Sequence, residues 1–223
     1  MDEQRRHWTE WNSWVKTREN QSIGRRQMAE VERWLTRTGR TDLDILEVGC
    51  GSGWFTPHLT RFGTVTATDL AVVEGPQRYP GVTFIEGDFM DLDFGRFHVI
   101  VTLEVLSHVP DQAAFMAKLA SHLDLSGLLM LATQNRPVLE HFNDIDPPAS
   151  GQLRRWVDRS ELRRLAEPHF AIHELFTATP VADRGVMRLV NAKRWNRAIG
   201  NRLDPLKERL GLGWTLMMLA EAR

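Results

Sequence analysis

The chain has 223 residues, enough to bury a sizeable core and most naturally a single α/β domain. Its 28 Lys and Arg stand against 29 Asp and Glu, which excludes the strongly basic field that binds nucleic acid by charge alone. A single cysteine, Cys50, excludes an intrachain disulfide; with the charged opening MDEQRRHWTE and no apolar run of membrane-span length, a soluble cytoplasmic protein is expected.

Trp8, Trp11 and Trp14 recur at every third position, and Met28, Val31, Trp34 and Leu35 follow at spacings of three and four. That pattern predicts two amphipathic helices before any strand. From Asp44 onward seven β-rich runs recur: DILEVG, TVTATDL, VTFIEGD, HVIVTLE, LLMLATQ, FAIHELFTA and WTLMMLAEA. Most are nearly continuously apolar, as in strands covered on both faces. Helical patterns are expected between them at 54–62, 112–123 and 160–165. Strand and helix alternating in this way predict a doubly wound, largely parallel sheet.

Two stretches depart from the alternation. Between Asp69 and Val82, Gly75, Pro76, Pro80 and Gly81 predict a loop in place of a helix. From Arg188 to Leu210, Lys193, Arg194, Arg197, Arg202, Lys207 and Arg209 are scattered on a helical background. Asp204 and Glu208 interrupt that basic segment, so it reads as a solvated helical surface.

The stretch DILEVGCGSGWFTPHL joins the first strand to the next helix through Gly49, Gly51 and Gly53. In a doubly wound sheet a ligand sits beyond the carboxyl ends of the strands, where such a turn lies. Glycines there admit unusual backbone angles and let a ligand approach the main chain. A dinucleotide fingerprint needs a further glycine at position 54, where Trp54 stands, and no phosphate-cradling P-loop motif occurs. The expected ligand therefore carries a nucleoside without a pyrophosphate. Asp69 ends the second strand, where a carboxylate suits ribose hydroxyls. Asp88 ends the third, where it suits an exocyclic amine with Phe89 beside it. Both aspartates equally suit turn initiation.

Taken in order and spacing, ILEVGCGSG, ATDL, IEGDFMDL and VIVTLEVLSHVPD resemble the class I S-adenosylmethionine-dependent methyltransferases, over residues 42–134. The resemblance implies one methyltransferase domain with a Rossmann-like seven-stranded sheet whose last strand is antiparallel. It implies an N-terminal helical lid over 1–40, for which simple packing of the tryptophan stripe against the domain is the other reading, a cofactor core over 42–134, and acceptor-side and C-terminal strands over 135–223. It also implies that Glu47, Gly49, Gly51 and Gly53 surround the methionine and ribose, that Asp69 binds the ribose, and that Leu70 with the loop after it covers the adenine, less completely than where a helix fills that connection. Asp88 and Phe89 hold the adenine, and Leu103 lies near the transferred methyl. Arg25 or Arg26 suits the cofactor carboxylate, with surface solvation as the other reading. The implied reaction moves a methyl to a small-molecule acceptor, preferably to oxygen, leaving S-adenosylhomocysteine. A nitrogen or carbon acceptor, or a non-catalytic protein that binds S-adenosylmethionine, are the alternatives.

An activated methyl needs chiefly alignment and exclusion of water, effects of about 7–11 kcal/mol. A hydroxyl acceptor needs a base as well. His108 is the first candidate, since imidazole accepts a proton near neutrality; a structural turn is its other reading. Glu104, four residues earlier, suits the same face of a helical turn. The segment is similar to one in quinone-biosynthesis O-methyltransferases, where a second acidic residue before the histidine implies a divalent metal. Here that residue is Ser107, which removes a hard ligand, and no metal is expected.

In EHFNDIDPP, His141, Asp144 and Asp146 suit a second base or acceptor contacts, or an ordinary polar loop. Its DPP is similar to the box of adenine-N6 methyltransferases, but it follows the fifth strand and Ala149 replaces the stacking aromatic. No nucleic-acid partner is expected. In GQLRRWVD, Arg154, Arg155 and Trp156 suit an anionic or aromatic acceptor.

Overall fold

A computed structural model describes residues 2–14, 22–71, 79, 81–185 and 203–223. The strands are β1 (Leu43–Val48), β2 (Gly63–Asp69), β3 (Thr83–Glu86), β4 (Phe97–Leu103), β5 (Leu123–Gln134), β6 (Phe170–Ala178) and β7 (Thr215–Ala222). Described helices are α1 (Asp2–Trp14), α2 (Ser22–Arg37), α3 (Thr56–Leu59), α4 (Gln112–Ser121), α5 (Arg136–Phe142), α6 (Arg159–Ala166) and α7 (Asp204–Arg209).

All seven expected strands join one sheet in the order β3-β2-β1-β4-β5-β7-β6. From β3 to β5 every pairing is parallel, while β7 runs antiparallel to both β5 and β6. The expected antiparallel last strand is therefore present, inserted between two others rather than at an edge.

Period-two alternation along the strands sorts their side chains into two layers. Leu46 and Val48, Ile100, Leu129 and Leu131, and Leu216 and Met218 face one way, against Phe115, Met116 and Leu119 of α4 and Leu162 and Ala166 of α6. Ile45, Val99 and Val101, Met130 and Ala132, and Met217 and Leu219 face the other way, against Val31, Trp34 and Leu35 of α2 and Phe55 and Leu59 around α3. Both faces are thus covered, which is why the strands read as continuous apolar runs.

Local signals set the helix starts. The Asp111 carboxylate accepts the Ala114 N–H at 2.9 Å and caps α4. Asp158 and Glu161 form a reciprocal capping box at α6. On α2 the Glu174 carboxylate of β6 accepts from Arg33 at 2.7 Å and from Trp34 Nε1 at 3.2 Å, and also pairs with Arg37. The Arg33 hydrogen bond is the main reason that its pKa is held down to about 2.

Three expectations change. The helix expected over 54–62 contracts to α3, because Gly51 and Gly53 hold left-handed angles and keep the chain in turns as far as Phe55. An additional helix, α5, occupies the start of what reads as a polar loop after β5. Glu104 and His108 do not share a helical turn: Glu104 is a single left-handed residue (φ +64) and His108 ends a short 3-10 turn, Leu106–His108. The side chains of Trp11 and Trp14, the loop residues Gly75, Pro76 and Pro80, and the basic residues Lys193, Arg194, Arg197 and Arg202 lie outside the described residues. Among the described residues no helix is long and apolar enough to cross a membrane.

Candidate active site

A cavity of about 640 Å3 opens at the carboxyl ends of β1, β2, β3 and β4 and extends under α1 and the 145–156 segment. Its first end is shaped by the glycine turn. Gly49 and Cys50 both donate their N–H to the Thr68 carbonyl, at 2.8 and 3.1 Å, which ties the turn to β2. Gly49 holds φ +81, and a Cβ there would lie 2.1 Å from Val105 Cγ2. Only glycine satisfies both the angle and the space.

Asp69 closes this turn. Its Oδ2 accepts the Gly51 N–H at 2.9 Å and its Oδ1 accepts the Ala71 N–H at 3.1 Å. A carboxylate oxygen can accept from more than one donor, which is the chemistry that vicinal hydroxyls require. Asp88 Oδ1 accepts the Met90 N–H at 2.9 Å. Phe89 beside it is 6% exposed and packs on Phe94 and Phe115, so the ring is shared between the core and the cavity wall.

Glu47 lies behind the turn and accepts from Thr56 Oγ1 at 2.5 Å. Burial first of all, with Asp69's negative charge adding to it, pushes its pKa up to about 7 despite that hydrogen bond. Near neutrality it is therefore partly protonated, and a cation beside it would favour the carboxylate. Burial likewise pushes the Cys50 thiol up, which leaves an inert wall residue rather than a nucleophile.

The other end is assembled from distant segments. Glu104 follows β4 and accepts from Gln27 Nε2 of α2 at 2.5 Å. Ser107 donates to Gln134 Oε1 at 2.5 Å. His108 Nδ1 lies 2.7 Å from the Leu153 carbonyl. A carbonyl oxygen only accepts, so Nδ1 carries the hydrogen and the lone pair of the neutral ring belongs to Nε2. Trp8 of α1 meets the His108 ring edge-on at 4.7 Å between centroids, and Gln4 Nε2 donates to the His108 carbonyl at 2.8 Å.

Of the residues that sequence singles out, Glu47, Gly49, Gly51, Asp69, Leu70, Asp88, Phe89, Leu103 and His108 all line this one cavity. Gly53, Arg25 and His141 are not among its lining residues. Gly53 sits behind the turn, where a Cβ would come 3.2 Å from Tyr79. Arg25 is exposed on α2, since Ile23, Gly24 and Gln27 carry the face of that helix that meets the cavity. His141 is exposed on α5, whose apolar face turns Val138 and Leu139 inward. Asp144 and Asp146 are exposed too, with Asp144 paired to Arg184.

Gln27, Gln134, Gln152 and Trp214 line the cavity without having been expected. Only Gln27 carried a sequence signal, lying four residues before Val31 on the apolar stripe of α2.

A model of the methyltransferase domain matches residues 17–177. The chain is 33% identical over 102 residues to a probable S-adenosylmethionine-dependent methyltransferase of Mycobacterium tuberculosis, a match covering 43% of this chain and 37% of that protein. It is 36% identical over 104 residues to a ubiquinone biosynthesis O-methyltransferase of Xanthomonas axonopodis, covering 41% and 43%. These matches thus span less than half the length of either relative. The fold is similar to that of the 1,6-didemethyltoxoflavin-N1-methyltransferase of Burkholderia thailandensis, with a TM-score of 0.63, 19% identity, and coverage of 98% of this chain and 86% of that one.

Proposed function

Because the chain belongs to the methyltransferase domain family, we propose that it transfers a methyl group from S-adenosylmethionine to a small molecule, preferably to an oxygen atom. The observation that carries this reading is the shared cavity: a glycine turn and a strand-end carboxylate at one end, and an oriented histidine at the other.

The donor set fits the cofactor. Asp69 would hold the ribose hydroxyls, Asp88 the adenine amine, and the backbone around Gly49 and Gly51 the methionine portion. Glu47 would face the cofactor's cationic groups, and Leu70 and Leu103 would pack along it. When bound, S-adenosylmethionine supplies a methyl already activated on a sulfonium. The protein's tasks are then to align the acceptor, exclude water and receive a proton. His108 Nε2 would accept the proton of an acceptor hydroxyl, while the Leu153 carbonyl holds the tautomer that this requires. A positioned base is the reason to prefer a hydroxyl oxygen, which must give up its proton, over an aromatic amine, whose lone pair is already available near neutrality. The likeness to an O-methyltransferase supports the same preference.

The test is mass spectrometry of phenols, amines and carbon acids incubated with the protein and S-adenosylmethionine bearing an isotopically labelled methyl. The expected result is one labelled product whose fragments carry the methyl on oxygen. Labelling on nitrogen or carbon would overturn the choice of atom. Cofactor binding with no transfer to any acceptor would overturn catalysis itself.

A further inference from the structure

At the acceptor end one short segment does three things. Leu153 gives its carbonyl to His108 Nδ1 at 2.7 Å, and Arg155 N–H donates to the Ser107 carbonyl at 2.8 Å. Gln112 Nε2 then donates to the Arg155 carbonyl at 2.8 Å. Residues 152–156 are thereby strapped against the His108 turn. The strap turns Arg154 and Trp156 into the cavity wall and leaves Arg155 outside it, exposed, with its guanidinium on the Pro110 carbonyl.

Among the described residues, the atoms that Arg154 meets are neutral. Its Nη1 donates to the Asp146 carbonyl at 2.6 Å and its Nη2 to Gln152 Oε1 at 3.0 Å, while its guanidinium lies 5.2 Å from the centre of the Trp156 ring. Among the described residues no ion pair involves Arg154. Two directed hydrogen bonds and a ring hold the fork in place without cancelling its charge. A guanidinium held in that way on a cavity wall favours an anion, and its planar donors match a carboxylate. Trp8, Trp156 and Trp214 also line the cavity, and their flat aromatic surfaces suit a planar ring.

We infer that the acceptor is an aromatic carboxylate, read by Arg154 through its carboxylate and by the tryptophan walls through its ring. This rests on the methyl-transfer reading above and adds to it the class of acceptor.

The test is fluorescence and calorimetric titration of the protein saturated with S-adenosylhomocysteine. The ligands are one- and two-ring hydroxyaryl carboxylates, each beside its own neutral methyl ester. The account expects at least one carboxylate to bind about 10- to 100-fold more tightly than its ester, the worth of a charged hydrogen-bonded contact. Arg154→Gln should remove that preference while leaving affinity for S-adenosylhomocysteine unchanged. Arg154→Lys, which keeps the charge and loses the fork, should restore part of it. Arg155→Gln makes the same change of charge outside the cavity and should leave the preference intact. Esters binding as well as acids, or Arg154→Gln weakening both equally, would overturn the inference. So would binding of S-adenosylhomocysteine with no carboxylate taken up at all, and that outcome would leave the cofactor reading standing. If S-adenosylhomocysteine itself did not bind, the methyl-transfer reading would fall first.

Discussion

At the cofactor end of the cavity the described wall comes mainly from residues 47–70 and 87–90, with Leu103 beside them, and much of it is backbone: the Gly49 turn, the Gly51 N–H on Asp69, the Met90 N–H on Asp88. At the acceptor end the wall comes from α1, α2, the His108 turn, α5, the 152–156 strap and Trp214, joined by side-chain hydrogen bonds across the fold. The first end is therefore a property of local sequence, and the second of tertiary assembly. This difference predicts that substitutions at one end leave the other working.

The largest separation should come from His108→Gln. Loss of a positioned base lowers kcat by about 10²- to 10⁴-fold. Steady-state kinetics should show that fall with the acid limb of the pH–rate profile removed and cofactor affinity unchanged. An unaltered profile would make His108 a turn residue only.

Gly49→Ala should damage the other end. Strain at φ +81 and the collision with Val105 together cost about 2–5 kcal/mol. Gly95→Ala, at φ +78 with nothing within 4 Å of the added carbon, should cost only the strain, about 1 kcal/mol. Urea unfolding of the two variants checks this. Equal losses would mean that the Val105 contact relaxes freely.

Glu47 offers a pH test. Its folded pKa of about 7 stands above the ordinary value of 4.5, so the native state holds a proton that the unfolded chain releases. Its contribution to stability is complete below about pH 4.5 and declines as pH rises to about 7, by up to about 3 kcal/mol. Glu47→Gln should flatten that part of the stability curve in unfolding measured at pH 5 and pH 7.5. The same decline in the variant would assign it to other groups.

How much was legible follows the same division. The seven strands could be read because both faces are covered, and the positions of the glycine turn, Asp69 and Asp88 because they depend on strand ends that sequence locates. The extent of α3 could not, because Gly51 and Gly53 prolong the turn where hydrophobic spacing continues the helix. Arg25 and His141 attract attention by their chemistry, yet each occupies the solvent face of an amphipathic helix, with Gln27 and Leu139 on the inner one. Trp214 reaches the cavity only because β7 is inserted between β5 and β6, which no local pattern announces. The carbonyl of Leu153 that orients His108 has no sequence signature at all.

The central claim, a cofactor end distinct from an acceptor end, is tested most directly by calorimetric titration of S-adenosylhomocysteine into the wild type, Asp69→Ala and Arg154→Gln. On the proposed placement of the cofactor, removing the carboxylate would take a charged acceptor from the ribose hydroxyls, and it unties the Gly51 and Ala71 amides. The account predicts affinity weaker by about 10- to 100-fold in Asp69→Ala and unchanged in Arg154→Gln. Wild-type affinity in Asp69→Ala, or an equal loss in both variants, would contradict it.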